Sequence, residues 1–263
     1  MKQQFQNYKF VIAYDGSRYK GWQIQPKEEN TIQGKLQKVL GELCREPVAV
    51  IGSGRTDSGV HALAQIANVH LPLDPKGISD RKEYRTYLEP EALLHYMNAY
   101  LPQDIAVLSI EKVPEHFHAR YHAVNKTYRY RIYTSFIPNV FERKYVYTYT
   151  EKQLDTAAMR AAAEKLCGTH DFTSFCGNKH MKKSRIRTLF SIEIREEREE
   201  IVIEYTGDGF LQNMIRILTG TLIEVGIGKI PVTSMQAILE EKNRSAAGFT
   251  APPEGLVLVK VRY

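Results

Sequence analysis

The residues best suited to chemistry lie in one short stretch, Gly52–Ala62, which holds three glycines, three hydroxyl side chains, one arginine and one aspartate. From Val48 to Leu73, Arg55 and Asp57 are the only lysine, arginine, aspartate or glutamate, in a chain that is 25% charged. Burying a carboxylate and a guanidinium is costly unless they are paired or used. The pattern predicts a functional carboxylate, Asp57, in a loop of a buried sheet. The alternative is a tight turn in which Asp57 bonds its own backbone.

A second candidate, Arg216, lies on a segment whose apolar residues recur at helical spacing from Phe210 to Val225. The other side of this predicted helix gathers amides, a hydroxyl, a glycine and one arginine: Gln212, Asn213, Arg216, Thr219 and Gly220. A solvated face normally carries lysine and glutamate instead. We therefore expect this side to line a cleft, with a lone exposed Arg216 as the alternative.

Cations and tyrosines favour a polyanionic partner. The net charge is +6, the pI is about 9.0, and the chain has 16 tyrosines, several of them among lysines and arginines. Cations meet phosphates and aromatic rings stack on bases, so this mixture suits nucleic acid. One short run holds five cations and no acid: Lys179, Lys182, Lys183, Arg185 and Arg187. A phosphate-contacting loop and a solvated face explain this run equally well.

Composition also argues against several classes of protein. The apolar runs are shorter than the roughly 20 residues that span a bilayer, and Met1–Lys9 has no apolar signal-peptide core. We therefore expect a cytoplasmic protein. Three cysteines without Cys-x-x-Cys spacing indicate neither a disulfide framework nor a zinc ribbon. Three histidines near residue 120 lack the supporting ligands of a metal site, so no metal is expected.

Periodicity predicts the elements that position these residues. In the first half, Tyr8–Tyr14 is a strand, Asn30 and Gln33 cap a helix that ends near Cys44, and residues 72–90 are a surface excursion. In the second half, Asn125–Tyr133 is a strand, and Thr150 with Gln153 caps a helix that ends near Leu166. The common order of strand, helix and strands suggests a duplicated α/β unit. We divide the chain into residues 1–112 and 113–263.

At this point six motifs coincide, in order, with those of one family, and the chain resembles the tRNA pseudouridine synthase A family along nearly its whole length. The motifs are Tyr14-Asp15-Gly16 with Gly21-Trp22-Gln23, Gly54-Arg55-Thr56-Asp57-Ser58-Gly59-Val60-His61-Ala62, Phe117-His118-Ala119-Arg120 with Lys126 and Tyr128-Arg129-Tyr130, Gly168-Thr169-His170-Asp171-Phe172-Thr173-Ser174-Phe175, Phe210-Leu211 with Met214-Ile215-Arg216, and Thr250-Ala251-Pro252 with Glu254-Gly255-Leu256. Two segments depart from the family pattern, namely residues 73–90 and 176–183.

The resemblance implies a fold and an activity. The expected fold is α/β (α+β), with two similar halves, each a mostly antiparallel sheet flanked by helices, and a catalytic cleft between them. The expected activity is the isomerisation of uridine to pseudouridine at positions 38–40 in the anticodon stem-loop of tRNA. A homodimer, a basic cleft that binds tRNA, and the absence of any cofactor are also implied. Two alternatives stay open: the same chemistry on another RNA or another tRNA position, and a non-catalytic tRNA-binding protein.

The resemblance also implies roles for individual residues. Asp57 is the catalytic aspartate, Arg216 pairs with it, and Tyr128 lies over the target base. Arg55 helps to displace the flipped nucleotide. The remaining substrate-binding residues are Leu256, Arg120 and Lys126. A nearby guanidinium would keep the carboxylate of Asp57 ionised, as either a nucleophile or a base at C2′ requires. The alternative for Tyr128 is a core tyrosine that shares a face with Tyr130.

Overall fold

The structure is a computed structural model that describes residues 3–26, 28, 30–76 and 78–263, and these form two compact units. The first unit comprises the described residues up to Ala123 together with Leu258–Tyr263, and the second comprises Val124–Val257. The units therefore divide after Ala123, whereas the sequence placed the division after residue 112. Each unit has mostly antiparallel strands flanked by helices, so the predicted fold class is confirmed.

The first unit is built around its longest strands. Its strands are β1 (Phe5–Tyr14), β2 (Val50–Gly52), β3 (His61–Pro72) and β4 (Ile105–Val113). β1 pairs antiparallel with β3 and with β4, and β2 pairs antiparallel with β3. On β1 every second residue from Tyr8 to Tyr14 is buried, as the period of two of a strand requires. β2 and β3 flank the segment that carries Asp57 and so fix where its loop starts and ends.

Three helices complete the first unit: α1 (Ile32–Cys44), α2 (Arg81–Tyr87) and α3 (Pro90–Tyr100). α1 ends at the predicted residue, and its apolar stripe is buried. The predicted surface excursion contains α2, which the sequence did not indicate. The hydroxyl of Tyr84 donates to the carbonyl of Pro72 at 2.7 Å, and the hydroxyl of Tyr8 donates to the carbonyl of Leu88 at 2.7 Å. These two buried bonds hold α2 against the unit.

The second unit contains strands β5 (Asn125–Tyr133), β6 (Tyr147–Thr148), β7 (Gly168–Asp171), β8 (Ile186–Glu197) and β9 (Glu200–Gly207). They lie in the order β5-β9-β8-β7 with antiparallel pairing, and β6 runs parallel to β5. The alternation predicted for β5 is confirmed, because Tyr128, Tyr130 and Ile132 are buried. On the opposite face Arg129 lies 2.7 Å from a carboxylate oxygen of Glu204.

The helices of the second unit are α4 (Thr156–Leu166), α5 (Met214–Gly226) and α6 (Met235–Glu241). α5 is buried on nearly every side, and only Arg216 and Glu224 are partly exposed. The last strand, β10 (Leu256–Arg262), begins in the second unit and continues into the first, where it lies next to β3. Within the described residues, no helix is long and apolar enough to cross a membrane.

Both predicted helix caps are wrong. The residue that caps α1 is Thr31, whose hydroxyl accepts from the amide of Gly34 at 3.2 Å, while Asn30 donates instead to the carbonyl of Arg18. The residue that caps α4 is Asp155, which accepts from the amide of Ala158 at 2.9 Å. In each case the side chain immediately before the first helical residue accepts from one of the free amides of the first turn.

Candidate active site

Residues 53–60, which we call the Asp57 loop, connect β2 to β3. Two buried polar side chains hold its first part. The hydroxyl of Ser53 donates to Gln65 Oε1 at 2.6 Å, and Gln65 Nε2 donates to the carbonyl of Gly54 at 3.1 Å. Because Gln65 is fully buried on β3, these bonds satisfy its amide and fix the loop to the strand at the same time. The Asp57 loop therefore starts from a rigid base.

A second loop, residues 15–22, holds the Asp57 loop from the side. The amide of Trp22 donates to the carbonyl of Thr56 at 3.1 Å, and the carbonyl of Tyr19 accepts from the hydroxyl of Ser58 at 3.1 Å. Gly21 permits this approach. Its φ is +90°, and a Cβ there would lie 2.7 Å from the carbonyl oxygen of Thr56. The backbone on both sides of Asp57 is thus anchored to the same neighbouring loop.

Thr56, the residue before Asp57, belongs to a buried pair of hydroxyls. The hydroxyls of Tyr14 and Thr56 are 2.8 Å apart, and both side chains are almost completely buried. Burial raises the pKa of Tyr14 well above its usual range, and hydrogen bonds with Thr56 and Gln65 oppose that rise only in part. Tyr14 therefore stays neutral at physiological pH. Its hydroxyl is a hydrogen-bonding partner that holds Thr56 of the loop in place.

The predicted residues of the first unit take different positions. Asp57 is half-buried in the middle of its loop, while the neighbouring Arg55 is exposed. Arg120 is also exposed and lies in the turn after β4. A half-buried carboxylate on an anchored loop is suited to be a reacting group, because it is held in one position. The exposed guanidinium of Arg55, two residues away, is free to contact a bound polyanion.

In the second unit, Arg216 lies in the first turn of α5 and is clamped at two points. Its Nε donates to the carbonyl of Ala251 at 2.6 Å, and its Nη1 donates to Asn213 Oδ1 at 3.1 Å. The backbone amide of Ala251 in turn donates a hydrogen bond to the carbonyl of Arg216 at 3.0 Å. Such a clamp fixes the direction of the guanidinium, so the alternative of a lone exposed arginine is wrong.

The segment that clamps Arg216 is itself pressed against α5. A Cβ at Gly220 would lie 1.9 Å from the carbonyl oxygen of Phe249, so only glycine permits this approach. Arg244 donates to the hydroxyl of Thr250 at 2.9 Å and holds the same segment from the other side. Residues 248–251 therefore cover α5 at Arg216 and Gly220.

Tyr128 is buried on β5, opposite Tyr205 on β9. Its ring meets that of Phe210 edge to face, with the ring centroids 5.3 Å apart. The half-buried Lys126 lies two residues earlier on the same strand. Tyr128 is thus part of an aromatic cluster, and its burial fits both interpretations given above, the base-contacting residue and the core residue.

The segment from Ala251 to the buried Leu256 connects the predicted residues of the second unit. Tyr130 donates to the carbonyl of Pro252 at 2.7 Å, next to Ala251, which accepts from Arg216. β5, the start of α5 and the residues before Leu256 therefore converge on one segment. Sequence reasoning missed Asn213 and Ala251 as supports of Arg216, although Ala251 is part of a quoted motif and Asn213 lies next to one.

No group of three or more histidine, cysteine, aspartate or glutamate side chains that could hold a metal ion occurs in the described part of the chain. Its three cysteines are all free thiols. The groups that could take part in a reaction or bind a substrate are thus the carboxylate of Asp57, the guanidinium of Arg216, tyrosines and lysines.

Comparison with known proteins decides the family. A family model described as tRNA pseudouridine synthase matches residues 10–122 and 162–263. The chain belongs to the tRNA pseudouridine synthase family. Asp57, Arg120, Arg216 and Leu256 lie within the matched segments, whereas Tyr128 and Lys126 lie between them.

Curated relatives of the family match the chain over nearly its full length. Two bear the name tRNA pseudouridine synthase A: one from Bacillus sp. strain KSM-64, 45% identical over 98% of this chain and 99% of its own, and one from Bacillus subtilis, 42% identical over 97% and 98%. One from Bacillus cereus, named tRNA pseudouridine synthase A 2, is 42% identical over 98% of this chain and 99% of its own. This family therefore accounts for both units of the chain.

Proposed function

We propose that this protein isomerises uridine to pseudouridine in the anticodon stem-loop of tRNA and that Asp57 is the catalytic carboxylate. Membership of the family supports the reaction and the class of substrate. The observation that carries the assignment of Asp57 is the anchoring of its loop, which the carbonyls of Gly54, Thr56 and Tyr19 fix on three sides. A catalytic group held in one geometry contributes more to the rate than a mobile one.

The reaction defines what the side chains must do. The C1′–N1 bond breaks, the uracil rotates, and C1′ bonds to C5, after which C5 loses its proton and N1 carries one. Asp57 would act at the ribose, either by attacking C1′ or by removing the C2′ proton, and both roles require the ionised form. A base cannot react while stacked, so it must leave the helix for a pocket with aromatic or apolar walls. Tyr128 and Leu256 are the residues proposed for those walls.

The cations have separate proposed roles. Arg216, fixed by Ala251 and Asn213, would keep Asp57 ionised. The exposed Arg55 would contact the displaced strand, and Arg120 and Lys126 would bind the substrate backbone. An arginine held by a carbonyl and an amide oxygen keeps its full positive charge, because neither partner neutralises it. The positive charge of Arg216 can then stabilise a nearby anion, such as an ionised carboxylate.

A direct test measures the proton that leaves C5. Transcribed tRNA carrying tritium at uracil C5 is incubated with the protein, and tritium released to water is counted. We expect release with the wild type and loss of detectable release with Asp57→Asn, which keeps the size of the side chain but not its charge. Asp74→Asn, a change at an exposed carboxylate that pairs with Arg81, serves as the matched control and should keep full activity.

The outcomes separate the alternatives. Release that persists in Asp57→Asn would contradict the catalytic assignment. Binding of tRNA without release by the wild type would favour the non-catalytic binding protein. Sequencing the pseudouridines formed in total RNA would identify the modified positions, and modification only outside the anticodon stem-loop would favour the alternative substrate.

We also propose that the protein is a homodimer, as the resemblance implies. Residues 134–145 form a loop that exposes 86% of Phe136 and 88% of Phe141, although Tyr133 donates to the carbonyl of Ile137 and holds the loop in place. An ordered loop that exposes large apolar side chains is typical of an interface. Light scattering should give a dimer for the wild type and a monomer for Phe136→Ser/Phe141→Ser. The control Leu108→Ser, at another exposed apolar residue, should stay dimeric.

A further inference from the structure

The basic run of the second unit forms the connection between β7 and β8, and we call residues 178–187 the lysine loop. No acidic residue occurs between Asp171 and Glu193. Of the carboxylates beside this region, Asp171 pairs with Lys242 at 3.1 Å, whereas Asp208 accepts from the amide of Thr188 at 3.1 Å. The loop therefore collects positive charge without local neutralisation.

The five cations fall into two groups. Arg185 turns inward, and its Nη2 donates to the carbonyls of Lys179 at 2.9 Å and Met181 at 3.4 Å. Arg187 donates to the carbonyl of Ser184 at 3.0 Å. The two arginines thus replace the backbone hydrogen bonds that this irregular loop lacks. Their function is to keep the loop folded.

The lysines form the second group. Lys179, Lys182 and Lys183 are exposed, and none of the three has an ion pair with any carboxylate in the described part of the chain. Holding three like charges on one short loop that also carries two arginines is unfavourable unless an anion compensates. Some lysines elsewhere in this protein pair with a carboxylate, as Lys229 does with Glu224, and those without an ion pair do not form a run of three within five residues. The arrangement favours a polyanion over a solvated face.

The position of the lysine loop links it to Arg216. The amide of Gly177 donates to the carbonyl of Gln212 at 2.9 Å, and a Cβ at Gly177 would lie 2.7 Å from Nδ2 of Asn213. Asn213 is the residue that accepts from Arg216. Gly177, the residue that precedes the lysine loop, is therefore packed against the start of α5, next to the residue that holds the guanidinium of Arg216.

We propose that Lys179, Lys182 and Lys183 bind phosphates of the tRNA next to the reacting uridine, and that they thereby set the affinity for the substrate. The proposal rests on the function proposed above. Each phosphate contact releases counterions, so the three lysines should account for part of the salt dependence of binding. They touch the backbone of the RNA and not the reacting atoms. Removing them should therefore raise KM for tRNA and leave kcat unchanged.

The test compares the salt dependence of tRNA binding for the full-length wild type and for Lys179→Gln/Lys182→Gln/Lys183→Gln. Fluorescence anisotropy with labelled tRNA is measured between 50 and 200 mM salt. If each of the three lysines contacts a duplex phosphate and thereby releases about 0.9 counterions, raising the salt over this range should weaken binding by the wild type about 40-fold more than binding by the variant. If the three phosphates belong to single-stranded RNA, each contact releases about 0.7 counterions, and the additional loss of affinity by the wild type should be about 20-fold. The size of the effect thus distinguishes stem from loop contacts.

The matched control is Lys76→Gln/Lys82→Gln/Lys152→Gln, which removes three exposed lysines elsewhere and changes the net charge equally. It should keep the wild-type salt dependence. Equal salt dependence in the lysine-loop variant and the wild type, or an equal loss in both variants, would overturn the proposal, and so would a fall in kcat at saturating tRNA. A wild type that binds tRNA but releases no tritium would contradict the proposed function alone.

Discussion

The hydroxyl pair of Tyr14 and Thr56 gives the sharpest test of how the Asp57 loop is held. Tyr14→Phe removes one hydroxyl and leaves that of Thr56 buried, with only 5% of the residue exposed. An orphaned buried hydroxyl costs about 1–3 kcal/mol of the free energy of unfolding. Thr56→Val should cost less, because the hydroxyl of Tyr14 keeps its hydrogen bond with Gln65. The double variant removes both partners, so its cost should be smaller than the sum of the two by about 1 kcal/mol or more.

Activity should respond as well, because the pair supports the backbone beside the proposed catalytic carboxylate. A displacement of about 1 Å can cost up to about a hundredfold in rate, so we expect kcat for tritium release to fall about tenfold to a hundredfold in Tyr14→Phe. KM for tRNA should change little.

The measurements are urea unfolding of each variant and tritium release at saturating tRNA. The control is Tyr84→Phe, which removes another buried hydroxyl of the first unit, one that donates to the carbonyl of Pro72 at 2.7 Å. It should be destabilised to a similar extent and keep wild-type kcat. Strictly additive unfolding energies in the double-mutant cycle, or an equal loss of kcat in Tyr84→Phe, would refute the reasoning.

Two further predictions concern the second unit. Gly220→Ala places a Cβ 1.9 Å from the carbonyl oxygen of Phe249, so the segment that clamps Arg216 must move. We expect kcat to fall at least tenfold, and an unchanged kcat would contradict the proposed role of this clamp. Hydrogen bonds from Thr173, helped by Lys242, lower the pKa of Asp171 below its usual value. This carboxylate therefore stabilises the fold above a pH of about 4 and loses that effect as the pH falls through its folded pKa. Asp171→Asn should lower the free energy of unfolding at pH 7 and match the wild type near pH 2, and a difference that persists at pH 2 would contradict the assignment.

The regular elements were predictable because burial imposes a period on them. β5 has the bounds that its alternating tyrosines and arginines indicated, and α1 ends at Cys44 as its apolar stripe required. The caps were not predictable from spacing alone. Asn30 and Thr31 are adjacent and both can cap a helix, and the choice depends on a distant partner, the carbonyl of Arg18, that binds Asn30.

The supports of the candidate site were less accessible to sequence reasoning. The aspartate and the arginine stand out by charge in apolar surroundings, whereas Ala251 acts through its carbonyl and leaves no signal in its side chain. The basic run posed a similar problem. The sequence alone does not distinguish the five cations from one another. In the fold, Arg185 turns inward to bond the backbone, whereas the three lysines are exposed to solvent. Which cations reach solvent depends on the carbonyls that an irregular loop exposes.

The path of the chain through β10 has a consequence for folding during synthesis. The second unit is continuous in sequence, whereas the first is completed only by residues 258–263. There the hydroxyl of Tyr263 donates to the carbonyl of Ala119 at 2.6 Å, and its ring packs against that of Phe117. On the ribosome the segment made first must wait for these six residues, while the segment made second can fold as soon as it emerges. The loop that carries Asp57 is therefore expected to reach its final state late, after residues 258–263 have been made.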